Sequence, residues 1–200
     1  MGLTCYLIRH GQTEWSLSGR HTGGTDLALT AEGEIQAAAL APLLNRIEFS
    51  AVFTSPLKRA LQTCELAGLS SQSQVDLELV EWDYGDYEGL TSDEIIKGNP
   101  NWNLFKAGAP RGESPEDVSR RADGLIERLS KLEGNVALFS HGHFSCALGA
   151  RWVGLSIVEA DHLELSTASI SRLGYSTNHP ETKVISGWNN VNLEINQSGT

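Results

Sequence analysis

The sequence predicts an α/β protein, a three-layer α/β/α sandwich around a mostly parallel central sheet. Three observations carry that prediction. Apolar runs end abruptly before His-Gly at two distant places, Cys5 to Ile8 before Arg9-His10-Gly11 and Val136 to Phe139 before Ser140-His141-Gly142. Amphipathic helical patterns lie between them. The composition is that of a globular chain with material for a core, 40% of the 200 residues being hydrophobic and 20% charged. Continuous apolar runs suit strands buried on both faces, and helices alternating with them supply the two outer layers. Such sheets bind ligands at the carboxyl ends of their strands, so both His-Gly motifs should share one edge.

The first element, Leu3 to Ile8, is too short and too poor in flanking basic residues for a leader segment, and it reads as a strand. After Thr30, Ile35, Ala39, Leu43 and Ile47 recur every fourth residue and predict a helix. Pro42 lacks a backbone donor and should kink or shorten it. A second helix follows Ser55-Pro56, with Leu57, Ala60, Leu61 and Cys64 on one face. Residues 84–113 break the alternation. They hold a short helix from Thr91 to Lys97, opened by a Thr91/Glu94 capping box, and then a Pro/Gly-rich stretch with Trp102 and Phe105, so the segment reads as a small lid. The helix after Ser114-Pro115 has an N-cap residue, Pro at its first position and an apolar face of Val118, Ala122, Leu125, Ile126 and Leu129. A late hairpin pairs Ala168 to Tyr175 with Lys183 to Trp188, and the polar tail 189–200 is expected to fray. With no internal repeat or low-complexity tract, residues 1–200 read as one domain.

Fifteen Lys and Arg against 25 Asp and Glu give a net charge of −10. Such a field repels polyanions, so nucleic acid is not an expected partner, and any anion must be held by cations gathered locally. Three widely spaced cysteines without a CxxC pair suit a reducing cytoplasm. No apolar window is long enough for a membrane span, and no membrane partner is expected. A second copy of the chain, forming a homodimer, is a compatible partner.

If Arg9, His10, Arg59 and His141 converge, they make a focused anion site in an acidic protein. Phosphate suits it, because a guanidinium binds phosphate oxygens through a planar fork and an imidazole can accept a phosphoryl group. The His141-Gly142-His143 spacing, without a companion Cys or Asp-x-Asp, is poor geometry for a metal, so neither metal nor cofactor is expected. His21, His162 and His179 read as surface or packing residues, and the Asn196-Gln197-Ser198 sequon as inert.

Five ordered stretches sharpen the reading: Arg9 to Trp15 with Gly19 to Thr30, Thr54 to Ala60, Glu81 to Gly89, Gly112-Glu113-Ser114, and Ser140 to His143. Together they resemble the phosphoglycerate-mutase-like branch of the histidine phosphatase superfamily. The Gly-Arg-His-Thr-Gly, Glu-Trp-Asp-Tyr-Gly and His-Gly-His wordings are most similar to broad-specificity bacterial acid phosphatases and sedoheptulose-bisphosphatase-like members. The resemblance implies that His10 attacks phosphorus, that Arg9, Arg59 and His141 stabilise the phosphoryl oxygens, and that Glu81 is the proton donor. It places Ser16, Thr22, Gly23, Gly142 and His143 among the phosphate or substrate contacts. Tyr84, Tyr87, Glu88 and Trp102 are candidates for a substrate rim. Glu81 must begin protonated and His10 unprotonated, which implies an acid-side pH optimum.

The implied activity is metal-independent hydrolysis of small phosphomonoesters, phosphorylated sugars or sugar bisphosphates being favoured, through a phosphohistidine. A phosphoglycerate mutase is the nearest rival. Residues 84–113 carry only Lys97, Lys106 and Arg111, few cations to retain a second phosphoryl group. A regulatory module that binds phospho-ligands without turnover is the second alternative. A glycosidase reading of Glu81 with Asp83 or Asp86 would leave Arg9, His10 and Arg59 without a purpose.

Overall fold

In the computed structural model, which describes residues 2–191, six strands form one sheet: β1 (Thr4–Arg9), β2 (Phe49–Thr54), β3 (Ser73–Val75), β4 (Asn135–Ser140), β5 (Ile170–Tyr175) and β6 (Lys183–Asn190). Their order is β3-β2-β4-β1-β5-β6, with the first four parallel and the last two antiparallel. Among the described residues eight α-helices accompany them: α1 (Glu14–Leu17), α2 (Ala31–Ala38), α3 (Ala41–Leu44), α4 (Lys58–Leu66), α5 (Ser92–Gly98), α6 (Leu104–Ala107), α7 (Pro115–Leu129) and α8 (Gly142–Trp152).

The period-2 alternation of the central strands divides the interior into two cores. Cys5 and Leu7 of β1 with Val136 and Leu138 of β4 face α6, α7 and α8. Ile8, Ala137 and Phe139 face the other way, onto Leu40, Leu44, Cys64 and Ala67. This is the predicted three-layer arrangement. The register pairs Arg9 with Ser140, which sets the two His-Gly motifs side by side where the strands end. Backbone bonds fix that edge from both sides: His10 N–H donates to Ser140 O (3.1 Å), Arg9 N–H to Ser169 O (3.1 Å) and Ala168 N–H to His10 O (3.0 Å).

Helix α7 begins at the Ser114/Asp117 capping box with Pro115 in its first turn, and its five predicted apolar residues are buried. Helix α5 follows the Thr91/Glu94 box. β5 and β6 form the predicted hairpin, although Asn189 and Asn190 end β6 and do not begin the tail. Residues 192–200, and with them the sequon and the rest of the tail, lie outside the described residues.

The helix after Thr30 differs from its prediction. Pro42 falls in the first turn of a separate helix, so the chain forms α2 and α3, and the buried face is Gly33, Ala37, Leu40 and Leu44. Ile35 is 65% exposed. The reason is steric: α2 lies with Gly33 against the loop after β1, where a Cβ would sit 2.1 Å from Gln12 O, and one on Gly11 would sit 2.3 Å from Gly33 O. Two glycines back to back turn that face inward and carry Ile35 out. Strands β2 and β3 had no separate prediction, since β2 alternates only weakly and β3 is three residues long.

Gly33→Ala should destabilise the protein by about 1–3 kcal/mol, as overpacking does. Gly124→Ala, in the middle of α7 with open space at its Cβ position, should instead stabilise it by about 0.5–1 kcal/mol. Urea unfolding at neutral pH checks both; equal effects would remove the steric argument.

Candidate active site

At the carboxyl edge of β1 and β4 a cavity of about 440 Å³ opens, with Arg9, His10, Glu81, Gly142 and His143 at its base. Ser16, Arg20, Thr22 and Ser92 line it, as do Asp161, Glu164 and Ser166. Tyr84, His21, Phe105 and Cys146 also line it.

The state of His10 follows from its partners. Nδ1 lies 2.7 Å from Gly11 O, a carbonyl that can only accept, so Nδ1 carries the hydrogen. Burial, with the charges of Arg9 and Arg59 added, holds the imidazole well below its ordinary pKa. A neutral ring protonated at Nδ1 leaves Nε2 with a free lone pair.

Arg9 and Arg59 have no carboxylate within ion-pair distance among the described residues, although both are in or beside the buried core. Arg9 donates through Nη1 to Leu165 O, while its buried Nε has no partner among the described residues. Arg59 is fully buried in α4 and spends its donors on the Thr25, Thr22 and Gly23 carbonyls, each at 3.0 Å, and on His141 Nδ1 at 3.0 Å. Since that nitrogen accepts, the His141 proton sits on Nε2 and is donated to Ser55 Oγ (2.8 Å). His141 packs edge-on to His10, ring centres 5.2 Å apart. Thus Arg59 and His141 form a layer beneath His10 and are not among the cavity's lining residues.

Glu81 is held by backbone donors. Trp82 N–H (2.9 Å) and Phe144 N–H (2.7 Å) donate to Oε1, and His143 N–H (3.0 Å) donates to Oε2. The last two come from the first turn of α8. Oε1 thereby uses both its lone-pair directions and Oε2 only one, so Oε2 is the atom with room for a proton. Beside it, burial keeps Tyr84 in its phenol form, and its O–H donates to His143 Nδ1 (2.6 Å).

The other sequence candidates divide. Gly142 opens α8 against the Arg9 guanidinium and lines the cavity, as do His143, Ser16 and Thr22. The Ser16 hydroxyl is engaged with Thr13 N and O, and Thr22 Oγ1 donates to Arg20 O. Gly23 N–H is occupied by the Glu88 carboxylate (2.9 and 3.0 Å), which also accepts from Thr25 N–H (3.0 Å). Of the four rim candidates only Tyr84 lines the cavity. Glu88 staples the 22–25 loop, Trp102 donates to Gly108 O, and Tyr87 packs on Trp102, so these three stand behind the wall. Sequence reasoning missed His21, Arg20, Asp161 and Glu164 as cavity residues. His21 and Arg20 lay in a quoted motif; the acidic pair lay in a turn with no pattern to mark it. His162 and His179 are exposed, as expected.

Residues 5–190 match the histidine phosphatase superfamily (branch 1). The chain belongs to that superfamily. It is 44% identical over 173 residues to an acid phosphatase of Mycobacterium tuberculosis, covering 84% of this chain and 85% of the relative. It is 37% identical over 186 residues to a sedoheptulose 1,7-bisphosphatase of Saccharomyces cerevisiae, covering 76% of this chain and 68% of that protein. Among solved structures, the product of a Mycobacterium tuberculosis open reading frame superposes with a TM-score of 0.89 at 39% identity, covering 95% of this chain and 98% of the other. Its class of chemistry is that of a phosphoric monoester hydrolase.

Four histidines of this histidine phosphatase are held below their ordinary pKa: His10, His141 and His143 chiefly by burial, and His21, also chiefly by burial, at about 4. Between pH 6.5 and 4 the unfolded chain therefore binds protons that the folded one refuses. Stability is full above that window and falls as pH falls through it, by up to about 1.4 kcal/mol per pH unit per histidine. His21→Phe, which keeps a ring against Tyr84 and Trp102, should flatten the slope by one histidine's share in urea unfolding at pH 6 and 4.5. Identical slopes would mean His21 is not held neutral.

Proposed function

We propose that the protein hydrolyses small phosphomonoesters, phosphorylated sugars foremost, without a metal and through a phosphohistidine on His10. The observation that carries the reading is the pairing of a neutral His10, its Nε2 free, with Arg9, whose buried Nε lacks an acceptor. A phosphoryl group supplies what both lack: an electrophilic phosphorus and anionic oxygens.

In the first step His10 Nε2 bonds to phosphorus while the P–O bond to the leaving group breaks, and Glu81 Oε2 gives its proton to the departing alkoxide. In the second, water attacks the phosphohistidine, Glu81 takes a proton back, and phosphate leaves with His10 neutral again. Ester and water become alcohol and phosphate. Arg9 binds the oxygens directly; Arg59 supplies positive field from behind, stabilising charge as it redistributes, and the neutral His141, which accepts from Arg59 and packs edge-on to His10, holds the two in place. Ser16, Thr22, Gly142 and His143 complete the phosphate and substrate contacts in this reading, with Tyr84 on the wall, while Gly23, its N–H held by Glu88, stands behind them.

The body of the substrate meets the donors of Ser16, Arg20 and Ser92 and the carboxylates of Asp161 and Glu164, all of which line the cavity. Hydroxyls satisfy both, which favours a sugar. Lys97, Lys106 and Arg111 do not line the cavity, so Arg20 is the one further cation there among the described residues, and retention of a second phosphoryl group as in a mutase is disfavoured. The three cysteines are unpaired and buried, which suits action in a reducing cytoplasm.

Phosphate release from a panel of sugar mono- and bisphosphates, with EDTA present, tests the proposal. Release should persist in EDTA and fall by about 10³-fold or more in His10→Ala. Metal-dependent release, or an active His10→Ala, would refute the mechanism; tight phosphate-ester binding without turnover would make the protein a binding module. Arg20→Met should weaken kcat/KM for bisphosphates by about 10-fold and for monophosphates by less than about twofold. Equal effects would remove Arg20 from recognition of a second anionic group.

A further inference from the structure

The Gly112-Glu113-Ser114 motif has no part in the cavity, and the segment it touches is the one that carries Glu81. Residues 80–84 have neither helix nor strand. Their peptide groups therefore lack the repeating partners that would fix Glu81, and the partners come from Glu113 and Arg121.

Arg121, one side of α7, donates through Nη1 to Glu78 O (3.0 Å) and Val80 O (2.7 Å), and through Nη2 to Glu81 O (3.4 Å). Its Nε and Nη2 also donate to the two oxygens of Glu113 (3.0 and 2.8 Å). Glu113 grips the next residues: its Oε2 accepts from Asp83 N–H (2.9 Å), its carbonyl accepts from Trp82 Nε1–H (2.9 Å), and its N–H donates to Asp83 O (2.9 Å). Gly112 allows the approach, since a Cβ there would lie 2.2 Å from Asp83 O. The Arg121 guanidinium also lies over the Phe144 ring, 4.1 Å from its centre, and Phe144 N–H is a donor to the Glu81 carboxyl. One side chain thus holds the Glu81 main chain on one side and the residue that holds its carboxyl on the other. The Arg121 side chain is only 11% exposed, so its bonds to Val80, Glu81 and Glu113 are partly shielded from competing water.

We infer that Arg121, locked by Glu113, is a positioning residue for the proton donor: it sets the place of Glu81 Oε2 relative to the leaving-group oxygen without touching substrate. The inference rests on the reading of Glu81 as that donor. A misplaced acid has a particular signature. It slows release of poor leaving groups, which need the proton, and spares good ones, which depart as anions.

The test is kcat/KM, which reports the step up to His10 phosphorylation, across phosphate esters running from p-nitrophenyl through phenyl to alkyl. Glu81→Gln serves as the standard. Arg121→Met should lose about 100-fold on the alkyl ester and less than about threefold on p-nitrophenyl phosphate, the order of loss that a displacement near 1 Å produces. Arg121→Lys, which keeps the charge and some of the carbonyl contacts, should recover part of the alkyl-ester activity. Glu113→Gln preserves shape, and should show the same tilt at about 10-fold; it decides the matter if Arg121→Met does not fold. A uniform loss across the series in the Arg121 and Glu113 variants, beside a tilted loss in Glu81→Gln, would overturn the positioning role alone. A uniform loss in Glu81→Gln would overturn the proton-donor reading and the inference with it.

Discussion

Two guanidiniums buried beside a neutral imidazole, with no carboxylate paired to either among the described residues, set the terms for the rest of the molecule. Removing a charge from water is costly unless hydrogen bonds and an opposite charge replace the lost hydration. For Arg59 the fold supplies carbonyls and an imidazole nitrogen, all neutral acceptors. For Arg9 it supplies one carbonyl and leaves Nε unmet. A carboxylate beside either would cancel the charge from within the fold. Without one among the described residues, two like charges lie close together in the interior. The surrounding packing must hold the cations together, and the Gly11–Gly33 contact and the β1–β4 register serve that end.

The same positive field sets the protonation of its neighbours. It disfavours a charged His10 and thereby keeps the Nε2 lone pair available, an effect that burial alone would produce less strongly. The cost falls on stability in acid, because neutral buried histidines resist the protons that the unfolded chain accepts. Site chemistry and acid tolerance pull in opposite directions through one set of side chains.

Much of this was legible in the chain because it is written locally. A capping box, a proline in the first helical turn, and an apolar run ending at His-Gly each report on a few adjacent residues, and α5, α7, β1 and β4 stand where those signals put them. The family motifs added what spacing could not, since nothing local says that Arg59 lies beneath His10. The misreadings have a common cause. A four-residue period through Ile35 looked like a buried face, but a close glycine contact decided the orientation of α2. Tyr87, Glu88 and Trp102 sat in a stretch of the right composition for a rim, and which side of a wall an aromatic residue faces depends on tertiary packing. Asp161 and Glu164 reach the cavity from a short turn at Ile157–His162 and the loop after it, elements that carry no periodicity to read.

Residues 84–113, expected to form a small lid, supply part of the cavity's wall. Residues 84–113 are tied to the loop after β1 by main-chain bonds, His21 N–H to Leu90 O and Gly89 N–H to His21 O, both 2.9 Å, and by the Arg20–Thr91 bridge. Leu104, Phe105 and Ala109 are buried in the same core as α7. A segment anchored by both backbone and core does not open without breaking them together. Preorganisation then falls to fixed groups: the Tyr84–His143 bond, the α8 amides at Glu81, and the Glu113–Arg121 clasp behind it. Such groups need no rearrangement as charge develops, which is what electrostatic catalysis asks of a site. The cavity that Tyr84, His143 and Glu81 line, about 440 Å³, includes Arg20 and Glu164 among its residues, a cation and a carboxylate in one small polar space.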